Sequence, residues 1–263
     1  MADRVETINE DFHNIRGSFK IAGVVDIGTQ ASLVRLTDGR FVMLDSYTLS
    51  GEVAASVARL TDDGKKLAAI LNLHPFHTVH VRRMHARFPD ASLYGTARHA
   101  AKAPELPWQP LRTEDPALWA EFDGELEFTV PKGVHFVHRN QNVHFASVLV
   151  RHVASGTVHV DDTLSYGRVP WMLKWTGLSD VFVFHPTLAS ALVREAGAAE
   201  AFRTWAQDVA TRWRDVTTVC AAHIGIWRAP EGSQGAFLRR VEAALDRVEP
   251  VLEAHRREVA ARG

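Results

Sequence analysis

Three histidines stand three residues apart in the stretch NLHPFHTVH, residues 72 to 80: His74, His77 and His80. Imidazole is the commonest metal-ligating side chain and the one whose ordinary pKa lies near neutrality. Such a run can hold a transition metal, pass a proton, or serve only for capping and packing. Its flanks leave the choice open. The apolar run LAAIL comes before it, and Pro75 suits the first turn of a helix through TVHVRRMHARF, which would stop before Pro89. In that helix His74 and His77 are caps, Phe76 packs inward, and His80 lies one turn on, on a solvated face.

Other residues of the same chemistry are spread along the chain. Asp45 closes FVMLD, His144 opens the apolar run HFASVLVRHV, and Asp161 and Asp162 close GTVHVDD. His159 and Asp161 fall on one face of a strand and Asp162 on the other, so the three converge only if the strand ends there. His223 closes VTTVCAAHIGI, a place that is hard to explain as surface. His185 ends DVFVFH, and His135 and His138 in GVHFVH face opposite ways on a strand, so at most one of that pair reaches a pocket. Each of these histidines has a plain alternative as a satisfied core residue. No G-x-S-x-G nucleophile turn is present, and Cys220 is the only cysteine.

The elements that must position these residues can be read from periodicity. FKIAGVVDI and ASLVRLTDGRFVMLD read as strands, with Asp38-Gly39 as a hairpin turn in the second stretch. Ser50 opens a helix, GEVAASVARLTDD, that stops near Gly64, and LAAILNL is a buried strand. ASLYGT is a short strand, and residues 100 to 122 look irregular. ELEFTV, GVHFVH, HFASVLVRHV, GTVHVDD and DVFVFH read as further strands. Pro186 starts a long helical region broken near Gly197, a last short strand carries His223, and residues 235 to 260 form an amphipathic helix with a kink or break at Pro250. Strands and helices followed by strands and helices again argue for helices outside two sheets.

Bulk properties narrow the function. A chain of 263 residues can bury a large core without staples. A single cysteine, with a charged N-terminus lacking an apolar signal core, fits a reducing, cytoplasmic compartment. No stretch approaches the roughly 18 apolar residues of a membrane helix. The formal charge of −1, with acids and bases interspersed, makes nucleic acid a poor partner. A small-molecule substrate is the expected partner, and the oligomeric state is left open. Trp108, Trp171, Trp175 and Trp227, with Phe76, would form an apolar pocket wall, although core packing explains any one of these tryptophans as well.

In order along the chain these stretches resemble the metallo-β-lactamase fold superfamily. Its strand-ending Asp corresponds to Asp45, and its His-x-His-x-Asp-His loop to residues 72 to 77. FPDASLYG supplies the following Pro and strand, and the lone strand-opening His is His144. The Gly-Asp-Thr-like end is VDDTL with Asp162, and the last strand-ending His is His223. The resemblance implies an α/β (α+β) fold: one domain over residues 1 to 263, in four αββα layers, ending in a helix over 235 to 262. It also implies zinc, or iron or manganese, as one or two ions held by His74, His77, His144, Asp162 and His223. Water activated on the metal would hydrolyse an ester, thioester, lactone or amide, with Asp162 and His77 as the catalytic pair.

The chain departs from the motif at two places. Asn72 stands where the family has its first His, and Phe76 where it has Asp, so each of two metal positions loses a ligand. Three outcomes remain: one shifted metal; two weakly held metals with His80, His159 or Asp161 filling gaps; or none. The last would make the protein a non-catalytic small-ligand binder. A redox or oxygen-handling iron site is a further reading, since histidine and carboxylate also suit iron.

Overall fold

The Asp38-Gly39 turn does what its sequence demands. Gly39 sits at φ 84°, where a side chain would strain the backbone. The turn closes an antiparallel hairpin at the middle of a seven-stranded sheet. The computed structural model describes residues 3–18, 20–21, 25–26, 28–169, 175, 180–222 and 225–262. These fall into two compact units, 1–128 with 148–159, and 129–147 with 160–263.

In the first unit the chain forms β1 (Arg4–Asn9), β2 (Phe12–Gly17), the short pair β3 (Lys20–Ile21) and β4 (Val25–Asp26), then β5 (Thr29–Arg35) and β6 (Phe41–Leu44). Helix α1 (Gly51–Thr61) leads to β7 (Leu67–Leu71), α2 (Val81–Arg87) to β8 (Ser92–Gly95), and α3 (Ala97–Lys102) to β9 (Trp108–Arg112). The sheet order is β1-β2-β5-β6-β7-β8-β9. Pairing is antiparallel up to β6 and parallel from β6 onward. The helices cause that change, because each crossover returns the chain to the same edge. β7 is accordingly an unbroken apolar run, as a strand covered on both faces must be.

One face of this sheet packs Ala31, Leu33, Met43, Ile70 and Leu93 against Val53 and Val57 of α1 and Met84 of α2. Burying each of these larger side chains is worth about 1.5–3 kcal/mol before entropy is subtracted. Helix α1 starts after Ser50, as expected, but its end is set by Asp62 and Asp63, both left-handed at φ 52° and 53°, ahead of Gly64. The unit continues through α4 (Pro116–Trp119), a 3₁₀ turn (Ala120–Phe122) and β10 (Leu126–Thr129), and includes most of the antiparallel hairpin of β11 (Leu149–His152) and β12 (Thr157–Val160).

The second unit contains the hairpin of β13 (Leu164–Gly167) and β14 (Val181–Phe184), helices α5 (Leu188–Ala191) and α6 (Ala198–Arg212), the hairpin of β15 (Thr218–Ala221) and β16 (Ile226–Arg228), and α7 (Ala236–Ala260). Its core pairs Phe202 with Phe145 and Phe184, and Phe237 with Phe182 and Trp227. Helix α7 runs on through Pro250 without the expected break; a Pro in that position leaves one carbonyl a turn earlier without its helical partner. Gly133 (φ 73°) lies against the Ala198 carbonyl at the start of α6. Gly133→Ala should therefore cost about 2–4 kcal/mol in urea unfolding, from backbone strain plus overpacking. A change under about 0.5 kcal/mol would contradict this packing.

Several sequence expectations are corrected. Residues 74 to 80 are turns, and α2 begins only at Val81, because His77 N–H closes a turn onto the His74 carbonyl. GVHFVH is not a strand; only Val134 forms an isolated bridge, to Leu192. His144 does not open a strand, since β11 begins at Leu149. Residues 100 to 122, expected to be irregular, contain the second half of α3 and all of β9 and α4. Periodicity cannot see which runs find pairing partners.

Candidate metal centre

Register brings the chemistry to one edge. Leu44 of β6 pairs with Leu71 of β7, and Leu71 with Tyr94 of β8, so these parallel strands end level. The residues just past those ends are Asp45, the loop from Asn72, and Thr96. The carboxyl ends of parallel strands are where open α/β sheets place ligand sites.

Asn72 is not a ligand-in-waiting but a tie between strand ends. It is fully buried; its Oδ1 accepts from Ser46 Oγ (2.7 Å) and its Nδ2 donates to the Tyr94 carbonyl (2.8 Å). Thr113 Oγ1 donates to the Asn72 carbonyl (2.9 Å). Its side-chain oxygen and nitrogen tie the ends of β6 and β8 to β7, and its carbonyl adds the loop after β9.

His74 and His77 meet on the loop that follows. Their rings stack with centroids 4.1 Å apart at 21°, and ligand atoms of the two lie within 4.8 Å of each other. Asp45 offers a carboxylate oxygen within 4.8 Å of a His77 nitrogen. Two atoms bound to one zinc at about 2.1 Å can be no more than about 4.2 Å apart, so His77 and each of these neighbours would have to close in slightly to share an ion. Two imidazoles with carboxylate nearby fit one divalent cation of borderline softness. His74 needs a change of tautomer to join it: its Nδ1 accepts the Phe76 N–H (3.1 Å), which leaves the proton of the neutral ring on Nε2. Ligation through Nε2 requires that proton to move and the Phe76 contact to open.

A buried polar chain braces the cluster. Asn14 Nδ2 donates to Ser32 Oγ (2.9 Å), and with the Asp45 carboxylate facing His159 Nε2 the Ser32 hydroxyl donates to His159 Nδ1 (2.9 Å). His159 then carries its proton on Nε2, facing Asp45 Oδ2 at 3.3 Å. The other oxygen, Asp45 Oδ1, accepts Leu73 N–H (2.7 Å). Asp45 itself takes φ 60°, a left-handed conformation that Asp tolerates better than most residues. His159, weighed from the sequence as a spare ligand, thus has both ring nitrogens engaged in this chain.

His99 is a second brace, which the sequence reading did not single out. Its Nδ1 accepts Thr96 N–H (3.2 Å), and its Nε2 faces the His77 carbonyl at 3.4 Å. The signal was present as Thr96-x-x-His99, a capping pair at the start of α3. Burial pushes its pKa down from 6.5 to about 4, against the opposing pull of Asp45. A depressed base keeps the folded state neutral while the unfolded chain takes up a proton. Its contribution is therefore intact above pH 6.5 and is lost as pH falls toward 4, by roughly 3 kcal/mol in all. Burial also depresses His13, His80 and His152. Unfolding free energy should accordingly fall between pH 6.5 and 4; a flat profile in chemical denaturation over that window would contradict it.

His80 is not on a solvated face but half-buried. Its Nδ1 pairs with Thr48 Oγ1 (2.8 Å), and its ring packs on Tyr47. Phe76 lies half-buried under the Arg98 guanidinium, 4.6 Å from its ring centre. Of the tryptophans expected in a pocket wall, Trp227 is core, Trp108 packs beside His99 and the first unit's core, Trp175 is 84% exposed, and Trp171 lies outside the described residues.

In the second unit Asp161 and Asp162 directly follow β12 and are buried, as is Thr163, whose Oγ1 donates to the Phe145 carbonyl (3.0 Å). His144 is half-buried, with Nε2 against the Gln141 carbonyl, so its lone pair is on Nδ1. His185 N–H reaches the Thr163 carbonyl (3.4 Å). His135 and His138, expected to face apart, meet instead with ring centres 5.4 Å apart. His223 lies outside the described residues.

No family model matches the chain, and no curated protein matches it. Solved structures do. A metallo-β-lactamase from Erythrobacter litoralis is 14% identical, with 96% of each chain covered and a TM-score of 0.61. The DIM-1 metallo-β-lactamase, in a structure exposed to ceftazidime, is 15% identical over 94% of this chain and 98% of its own, at a TM-score of 0.58. FIM-1 from Pseudomonas aeruginosa, in a mono-zinc form, is 11% identical over 94% of this chain and 96% of its own, at 0.57. Likeness over nearly the whole length at such low identity is likeness of fold, and with the ordered motifs and the His/Asp cluster it leads to one conclusion: this chain has the fold of the metallo-β-lactamase superfamily.

Proposed function

We propose that the protein is a metal-dependent hydrolase that holds one divalent ion, zinc foremost, and acts on a small ester, thioester, lactone or amide. The single observation that carries this is the stacked His74–His77 pair, buried at His74 and half-buried at His77, on the loop that Asp45 and His159 brace through Leu73. The remaining proposed ligands, His144, Asp162 and His223, rest on the order of motifs along the chain. A mono-zinc form of FIM-1 supports the idea that a single ion can be held on this fold. A bound cation of this kind supplies Lewis acidity and brings the pKa of a water toward neutrality.

The chain's own groups would do the rest. His77 and Asp162 would stand next to the reacting carbonyl and take part in moving the proton of the attacking water to the leaving group. Phe76, under Arg98, keeps water out of the place where the family has an acid, which disfavours a second ion there. His99 holds the His77 backbone, and His159 Nε2 faces the Asp45 carboxylate. A cytoplasmic setting belongs to the same proposal, since the buried Cys220 is the only thiol. No helix among the described residues is long and apolar enough to cross a membrane.

Phe76 favours one rival: a non-catalytic ligand binder on the same fold. A panel of chromogenic esters, thioesters, lactones and anilides, with zinc-loaded protein, separates the two. Turnover that requires metal and disappears in His77→Ala supports the hydrolase. Tight metal binding with no turnover of any class would favour the binder and overturn it.

A further inference from the structure

We propose that a cavity within the second unit is a binding site for a small oxyanion, a carboxylate or phosphate compound. The cavity is about 740 Å³, inside the usual 300–1,000 Å³ range of small-molecule pockets. It stands apart from the metal reading, since none of the proposed metal ligands lines it.

The argument is from the chemistry of the lining. Arg139 and Arg194 both face the cavity, and among the described residues neither guanidinium has an ion-pair partner. The one acid in the lining, Glu258, is already paired with Arg262 (2.5 Å). The two arginine charges are therefore uncompensated. His138 adds a donor: its Nδ1 accepts Asn140 N–H (3.0 Å), so the neutral ring carries its proton on Nε2. Asn140 Oδ1 accepts Asn142 N–H (3.0 Å), which leaves its amide Nδ2 for a ligand, and the Ser190 hydroxyl is a further donor. The wall is rich in donors and nearly empty of free acceptors. Planar guanidinium groups bind carboxylate and phosphate through paired hydrogen bonds, which a neutral or cationic ligand cannot use.

The two segments carrying these groups are tied to each other near Gly133 and Val193. His135 N–H donates to the Ala191 carbonyl (2.8 Å) and Val193 N–H to that of Gly133 (3.0 Å), which ties the arm bearing Arg139 to the arm bearing Arg194. The two arginines are thus presented by one braced scaffold.

The test is calorimetric titration of the full chain, dialysed free of metal, with inorganic phosphate and separately with succinate. Saturable binding of at least one is expected, weakened by added salt and weakened at least about tenfold in Arg139→Gln/Arg194→Gln, the range for losing charged hydrogen bonds. Both arginines are exposed, so the double variant should unfold at the same denaturant concentration as the parent. The tighter of the two anions names the ligand class. No saturable binding of either up to about 20 mM, a level where even weak sites fill, would overturn the proposal. So would binding that the double variant leaves unchanged.

Discussion

Replacing Asp45 with alanine is expected to lower the free energy of unfolding by about 3–5 kcal/mol, the range for breaking a buried charged network from one side. Three losses combine. Leu73 N–H loses its acceptor inside the core, where an unmet donor costs about 1–3 kcal/mol. His159 Nε2–H loses the carboxylate it faces, at a site with no exposed surface. Alanine at φ 60° adds backbone strain that Asp tolerates better. Asp45→Asn should be milder, since its carbonyl can still accept from Leu73, yet its amide would point a donor at the His159 donor. The order parent, Asn, Ala in urea midpoints checks this; equal midpoints for parent and Asp45→Ala would show that the brace carries no energy.

The second large effect concerns chemistry rather than stability. His77→Ala is expected to lower kcat/KM by at least about a thousandfold, corresponding to roughly 4 kcal/mol of transition-state stabilisation. Stability should move little, by about 1 kcal/mol or less, because His77 is only half-buried and its ring closes no gap in the core. That contrast with Asp45 separates a ligand from a brace. Activity within about tenfold of the parent would remove His77 from the site.

The fold was legible where local signals agree with tertiary needs. Asp38-Gly39 marks the hairpin, Ser50 the start of α1, and the unbroken LAAIL a strand buried on both faces. Order along the chain, rather than any single run, pointed to the metallo-β-lactamase fold. What misled was alternation without a partner: GVHFVH alternates like a strand but pairs with nothing along its length apart from the bridge at Val134. Pro75 likewise suits a first helical turn, yet the loop is closed by the His77-to-His74 bond, and the helix waits until Val81.

The site was half legible. His74 and His77 were visible as types and spacing, and the structure brings them together. The roles of Asn72, His99 and His159 were not, because each is defined by partners far away in sequence: Tyr94 for Asn72, the His77 carbonyl for His99, and Ser32 with Asp45 for His159. Asn72 looked like a lost ligand and is a structural tie. The tryptophans looked like a pocket wall, yet Trp227 belongs to a hydrophobic core.

Metal content is the most direct measurement of the central claim. Protein purified without chelator, dialysed against zinc and then against metal-free buffer, is to be analysed for zinc, iron and manganese per chain. About one equivalent is expected, falling at least tenfold in His74→Ala and in His77→Ala, in line with a site of three protein ligands and one open position. Less than about a tenth of an equivalent of any metal, or the same content in both variants as in the parent, would contradict it.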